Sequence, residues 1–294
     1  MTNPDHGPQA SLIVQGQDRP GIVAAVTAVL AGHGANIVSL DQYSSDPGGG
    51  MFFQRTVFSR DHLTLALPDI EQDLAQALAQ DFDLEFRLRD LSVPQRVAIF
   101  ASKSDHCLLD LLWRHQRGEL PVSVAMVISN HPDNAVAVRR FGVPFFHVPS
   151  GGPGQAAAKS AAEAEHLRLL RGNVDFIVLA RYMQILSGAF IADVGVPIIN
   201  IHHSFLPAFV GAGPYARARE RGVKLIGATA HYATQDLDEG PIIEQDVVRA
   251  THADTVADLQ RRGADVERTV LARAVRWHSE DRVLRHGNHT IVFA

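Results

Sequence analysis

The sequence predicts an α/β protein of two domains: a small split β-α-β unit followed by a larger, mostly parallel sheet covered by helices on both faces. Three observations lead there. The 294-residue length suits two cores better than one. Residues 11–90 read as strand, helix, strand, strand, helix, strand. After a short linker at 90–95 containing Pro94, strands and helices alternate, the pattern of a parallel sheet with crossover helices.

In the first domain, expected at 10–90, residues 11–14 form a short apolar strand. It runs into Gly16-Gln17-Asp18-Arg19-Pro20-Gly21, a turn-rich segment with Pro20 placed to open a helix. Ile22, Val23, Val26, Val29 and Leu30 then recur at helical spacing, and Gly32 and Gly34 end that helix. Residues 35–43 and 51–58 are β-rich runs joined by a loop from Ser44 to Gly50 containing Pro47. Leu74, Ala75, Leu78 and Ala79 mark a second helix before a strand at 84–88.

The second domain, expected at 95–294, places buried strands at 96–101, 122–129, 145–148, 174–180 and 198–201, with helices between them, for example at 108–117 and 156–171. Two further runs, 225–232 and 242–248, are separated only by a turn and are expected as antiparallel additions at the sheet edge. Residues 255–277 have the length and spacing of a closing helix. Ligands of such sheets bind beyond the carboxyl ends of the strands, which directs attention to the residues after Ala180 and Ile199.

Composition narrows the function. Hydrophobic residues at 46% and charged residues at 20% describe a folded chain throughout. A net charge of -5 leaves no positive field to gather phosphate backbones, so nucleic acid is not the expected partner. The single Cys107 cannot pair within the chain and reads as a small buried thiol at a helix start. The first ten residues have neither a basic start nor an apolar run, and no stretch approaches the ~20 apolar residues of a membrane span. A cytoplasmic enzyme is the expectation.

The fifth strand runs into Asn200-Ile201-His202-His203-Ser204-Phe205-Leu206-Pro207, and Leu237-Asp238-Glu239-Gly240-Pro241 follows later. Asn200 and His202, two apart on an extended segment, project to one face. With Asp238 beside them they form an amide donor, a proton-transfer group and an orienting acid, the three parts needed to break a formamide. Asp238 can orient water, take its proton or stabilise a charged His202, and the sequence does not choose among these.

Two resemblances extend this reading. Gly16 to Val23 resembles the first loop and helix of an ACT domain, a ferredoxin-like βαββαβ fold, which implies Gly16, Asp18 and Gly21 as binding positions for an amino-acid effector and at least a homodimer, or a tetramer. Asn-x-His-x-Ser-x-Leu-Pro, with a later His-bearing strand and Leu-Asp-x-Gly-Pro, resembles the folate-dependent formyltransferase family, a Rossmann-like fold, across 95–294. That likeness implies catalytic Asn200, His202 and Asp238, an accessory His231, and a cis bond between Leu206 and Pro207. It also implies a folate-binding loop at Arg181, Tyr182, Met183, Gln184, Ile185 and Leu186.

An ACT-like front end on this module is similar to the hydrolytic members of that family, in which water replaces the amine acceptor. Gly211-Ala212-Gly213-Pro214-Tyr215 and Gly227 to Tyr232 carry the same likeness. It implies hydrolysis of 10-formyl-tetrahydrofolate to formate and tetrahydrofolate, with no cofactor and no metal. The alternative is formyl transfer to a small amine such as glycinamide ribonucleotide. Against it, the segment Ser102-Lys103-Ser104-Asp105 lacks the glycine-rich phosphate turn and carries an acid instead. A catalytically silent folate or amino-acid sensor is disfavoured by the intact Asn200, His202 and Asp238. A metal hydrolase is disfavoured because the 15 histidines show no ligand spacing.

Overall fold

The structure is a computed structural model that describes residues 7–46, 48–151, 154–208 and 213–294. Pro47, Gly211, Ala212 and most of the N-terminal stretch singled out above lie outside the described residues. Contacts divide the chain into two compact units. The first holds the chain up to Pro94 with Glu280–Leu284 and Ile291–Ala294, and the second holds Gln95–Ser279 with Arg285–Thr290.

The first unit contains β1 (Gln9–Gln17), α1 (Ile22–Gly32), β2 (Asn36–Ser44), β3 (Met51–Ser59), α2 (Leu67–Asp81) and β4 (Glu85–Asp90). The sheet order is β2-β3-β1-β4, with every neighbouring pair antiparallel. Ala10, Leu12 and Val14 alternate onto the face where Ile22, Val26 and Leu30 of α1 meet Ile70, Leu74 and Leu78 of α2. On the other face Ile13 and Phe53 pack with Leu284, Ile291 and Phe293.

Two expectations change here. The strand is longer than residues 11–14: Gly16 and Gln17 still pair with Phe52 and Met51, so the turn begins at Asp18. Gly21, at φ 98, is the residue before α1 begins, so Pro20 precedes the helix cap and does not occupy its first turn. The second change concerns the C-terminal end, expected wholly in the second domain. The Asp281 carboxylate, only 1% exposed, accepts from Ser11 Oγ at 2.5 Å, Arg87 at 2.8 Å and Arg89 at 2.7 Å. Burial raises its pKa, but the two guanidinium charges and the Ser11 hydroxyl win and hold it below the ordinary aspartate value. Separated from these partners the buried acid would be costly, which is why the tail groups with the first unit.

The second unit contains β5 (Gln95–Ala101), α3 (His106–Gln116), β6 (Val122–Ser129), α4 (Ala135–Arg140), β7 (Phe145–His147), α5 (Ala156–Leu170), β8 (Phe176–Ala180) and α6 (Gly188–Val194). β9 (Ile198–His202), α7 (Pro214–Glu220), β10 (Leu225–Tyr232), β11 (Ile242–Arg249) and α8 (Val256–Ser279) complete it, and β12 (Val283–His286) and β13 (His289–Val292) form a terminal hairpin. The sheet order is β11-β10-β9-β8-β5-β6-β7. The five strands from β9 to β7 in that order are parallel, and β10 and β11 add antiparallel at the other edge as expected.

All five residues of β8 are buried, because helices cover both faces of the parallel part. Its core joins Phe100, Ile128, Ile177 and Leu179 to Leu170 and Phe190. α8 starts from a reciprocal cap in which Asp258 N donates to Thr255 Oγ1 at 3.1 Å and Thr255 N donates to Asp258 Oδ2 at 2.9 Å. The chain runs from β5 outward to β7 and then returns to β8 on the other side of β5, so the strand order reverses between β5 and β8. That switch point positions the site.

Candidate active site

The register of β9 and β10 builds the centre. Antiparallel pairing sets His231 opposite Asn200 and Thr229 opposite His202. Asn200 and His202, two apart, share a face. Asn200 Nδ2 lies 3.1 Å from His231 Nε2, and His231 Nδ1 lies 3.0 Å from the Tyr232 carbonyl oxygen. With its Nδ1 directed at that carbonyl, His231 turns Nε2 toward the Asn200 amide.

Asp238 arrives from the connection between β10 and β11 with φ 60, a left-handed backbone that aspartate tolerates better than most residues. Its Oδ2 is 3.2 Å from His202 Nδ1, and its Oδ1 is 3.8 Å from His231 Nε2. Burial pushes the carboxyl pKa up, but hydrogen bonds from His202 and His231 and their charges hold it well below the usual carboxylate range. His202 is 5% exposed, and its Nε2 has no partner among the described residues. His203 faces Arg181 and Tyr215 instead; burial first, then the Arg181 charge, lowers it to about 4.

Asn200, His202, His231 and Asp238 line a single cavity of about 250 Å³ together with all five residues Tyr182 to Leu186. Tyr182 is buried and packs edge-on against Phe100 at 5.2 Å, so it supports the loop from beneath. Met183 and Ile185 are 55% and 62% exposed, apolar groups presented at the cavity and not consumed by a core. The loop is tied at both ends. Met183 N donates to Ser102 Oγ at 3.0 Å; Ser187 donates its N–H and its hydroxyl to Glu163 at 2.8 and 2.7 Å and accepts from Phe190 N as the cap of α6.

Several supporting residues escape a sequence reading. Thr229 donates to Ser204 O at 2.9 Å and accepts from Leu206 N at 3.0 Å, and Gln245 Nε2 donates to both Leu206 O and Thr229 Oγ1. Together they hold the turn that follows His202, where the Leu206–Pro207 bond is cis as the likeness implied. The available signal was the hydroxyl of Thr229 two residues before His231 on an otherwise apolar strand. Cys107 is buried in the first turn of α3, as expected. Among the described residues one group, His106, Cys107 and Glu267, has atoms close enough to hold a metal ion, a grouping that chain spacing does not reveal.

In the first unit the three expected effector positions separate. Asp18 donates its N–H to Gly50 O at 2.8 Å and accepts from the Ser44 hydroxyl, and Gly21 opens α1 without any side-chain cap. Gly16 stays in the sheet, where a Cβ would meet Leu84 Cδ2 at 2.5 Å.

A doubly wound sheet whose carboxyl edge gathers an asparagine, two histidines and an aspartate is the architecture of a formyl transferase. Residues 95–275 match the formyl transferase family, and residues 10–75 match the ACT domain. The chain is 60% identical over 282 residues to a formyltetrahydrofolate deformylase of Mycobacterium tuberculosis, covering 96% of this chain and 90% of the relative. The crystal structure of a formyltetrahydrofolate deformylase from Pseudomonas syringae is 45% identical, with a TM-score of 0.93 over 98% of this chain and 95% of that one. A glycinamide ribonucleotide transformylase from Symbiobacterium toebii is 34% identical with a TM-score of 0.63, and spans 68% of this chain and 95% of its own. The chain belongs to the formyltetrahydrofolate deformylase family. Among the described residues no helix is long and apolar enough to cross a membrane.

Proposed function

We propose that this chain hydrolyses 10-formyl-tetrahydrofolate to tetrahydrofolate and formate, with Asn200, His202 and Asp238 as the reacting groups. The observation that carries the reading is the convergence of the three in one cavity with the Asp238 carboxylate 3.2 Å from the His202 ring. The deformylase names of its full-length relatives support the same substrate, whereas the transformylase likeness covers only 68% of this chain.

Water adds to the formyl carbon, and the Asn200 amide donates to the oxygen that becomes negative. Asp238, held ionised, stabilises His202 while that ring carries the proton taken from water. His202 Nε2, the ring nitrogen free of protein partners, returns the proton to the departing nitrogen. His231 keeps the Asn200 amide turned toward the site. Met183 and Ile185 flank the pterin, Gln184 and Leu186 complete the loop, and Tyr182 holds it from below. In this reading the reaction needs no metal and runs in the cytoplasm.

The first unit acts as the regulatory part, with a small amino acid held by the loop from Asp18 to Gly21 and its sheet pairing copies into a homo-oligomer. Exposed Val38, Leu40 and Tyr43 on the edge strand β2 support that pairing. The test of the reaction is formate release from 10-formyl-tetrahydrofolate in chelator-treated buffer, with and without an amine acceptor. Release in both conditions is expected; release only with the amine would replace hydrolysis by transfer.

A further inference from the structure

Arg181 is the only lysine or arginine among the described residues lining the cavity; its Nε and Nη1 are buried with no hydrogen-bond partner among the described residues, and its charge is met by one ion-pair contact. Its Nε lies 3.5 Å from Oε2 of Glu267, a carboxylate 2% exposed on α8. The same oxygen is 2.8 Å from His106 Nε2, and the other, Oε1, accepts from the Tyr215 hydroxyl at 2.6 Å. These partners come from three separate places: the start of α3, the start of α7 and the residue after β8.

α8 is shaped for this meeting. Gly263, one turn before Glu267, leaves room for Tyr215, since a Cβ there would stand 1.9 Å from the tyrosine oxygen. Glu267 is buried yet ionised: burial raises its pKa, and His106, Arg181 and Tyr215 together bring it below the ordinary value. A metal ion is a poorer occupant of the His106, Cys107 and Glu267 group. The Arg181 charge stands against the same oxygen that would bind it, and the Cys107 thiol is pushed well up by burial and by Glu267.

We propose that Glu267 is a specificity-determining residue: a buried anion that neutralises Arg181 and so denies the cavity a free cation with which to hold an anionic acceptor, leaving water as the nucleophile. The inference rests on the hydrolytic reading, to which it adds the reason that water is the acceptor. An arginine facing a cavity is the residue best suited to hold a phosphate or carboxylate, by two parallel N–H bonds. Once its charge is answered from behind by Glu267, that attraction is largely spent.

The test is calorimetric titration of inorganic phosphate into the full chain and its variants at pH 8, with formate release followed alongside. Glu267→Gln keeps the shape and removes the charge, and is expected to bind phosphate about tenfold or more tighter than the parent, the size of effect a released charge–charge contact gives. Glu267→Asp, which keeps the charge, should stay within about threefold of the parent. Adding Arg181→Met to Glu267→Gln should abolish the gain. Glu267→Met, equally neutral and similar in volume, gives a second reading on whichever variant melts cooperatively. Equal phosphate affinity in the parent and a folded neutral variant would overturn the proposal. So would stoichiometric zinc in the purified parent that is lost in His106→Gln, because Glu267 would then serve the ion. If the parent released no formate without an amine, the hydrolytic reading would fail in the activity arm, while the phosphate arm would still report on Glu267.

Discussion

Replacing Asp238 by Asn isolates its charge. The backbone there sits at φ 60, a conformation that asparagine adopts more easily than almost any other non-glycine residue, so the substitution brings little strain. Volume is nearly unchanged. What is lost is one charge-assisted contact to His202 at 3.2 Å and a weaker ionic one to His231 at 3.8 Å. A hydrogen bond to a charged group contributes about 1.5–3 kcal/mol, and here it matters most when His202 carries the proton, that is, in the transition state. The expected loss in kcat is therefore about 100-fold or more, near 2.7 kcal/mol. Substrate affinity, which the proposed function assigns to the apolar loop at Met183 and Ile185, should change by about threefold at most. Steady-state formate release gives kcat and KM, and fluorescence titration with tetrahydrofolate gives the affinity. A kcat within about twofold of the parent would remove Asp238 from the mechanism, and an equal loss in affinity would make it a binding residue.

Three further outcomes are expected. Thr229→Val removes the hydroxyl that ties Ser204 O, Leu206 N and Gln245 together, leaves a buried N–H unpaired and should cost about 1–3 kcal/mol in urea unfolding, with kcat falling while the circular dichroism spectrum is kept; unchanged stability would dismiss it as a support. His166, 1% exposed among the rings of Phe100, Tyr182 and Phe190, is lowered by burial from 6.5 to about 4, so the fold keeps it neutral and unfolding protonates it. Its contribution is whole above pH ~6.5 and is lost as pH falls toward 4, by about 3 kcal/mol in all; His166→Leu should flatten that part of the acid profile, and identical slopes in both proteins would refute the assignment. Calorimetry with glycine, serine and methionine should detect one amino acid whose binding is weakened by Gly21→Ala, since φ 98 at that position disfavours a side chain; no heat from any amino acid would remove the effector reading.

The positions of the strands were legible because buried strands are short, apolar and bounded by turns, as the runs expected at 174–180 and 225–232 are. The helices α4, α6 and α7 were not, since six or seven residues make too few turns for a periodic face to stand out. Asn200 and His202 were legible from a two-residue spacing, and Asp238 only through its motif, since nothing local says that a loop 36 residues after His202 returns to it. Thr229, Gln245, Glu163 and Glu267 were hidden for one reason. Each acts through a partner distant in the chain, and a buried polar residue declares itself only when the fold shows whom it bonds.

The antiparallel pairing of β10 with β9 explains how two of these distant parts meet. Pairing antiparallel to β9 sets His231 directly across from Asn200, and the bulge between Ala230 and His231 marks where β10 loses its regular pairing with β11 as the chain turns toward Asp238. A shift of one residue in that register would turn Asn200 and His202 away from His231 together. Thr229, locked to Ser204 and Leu206 across the same ladder, opposes that slip. The residue that holds the turn after His202 therefore also fixes the register on which the whole site depends.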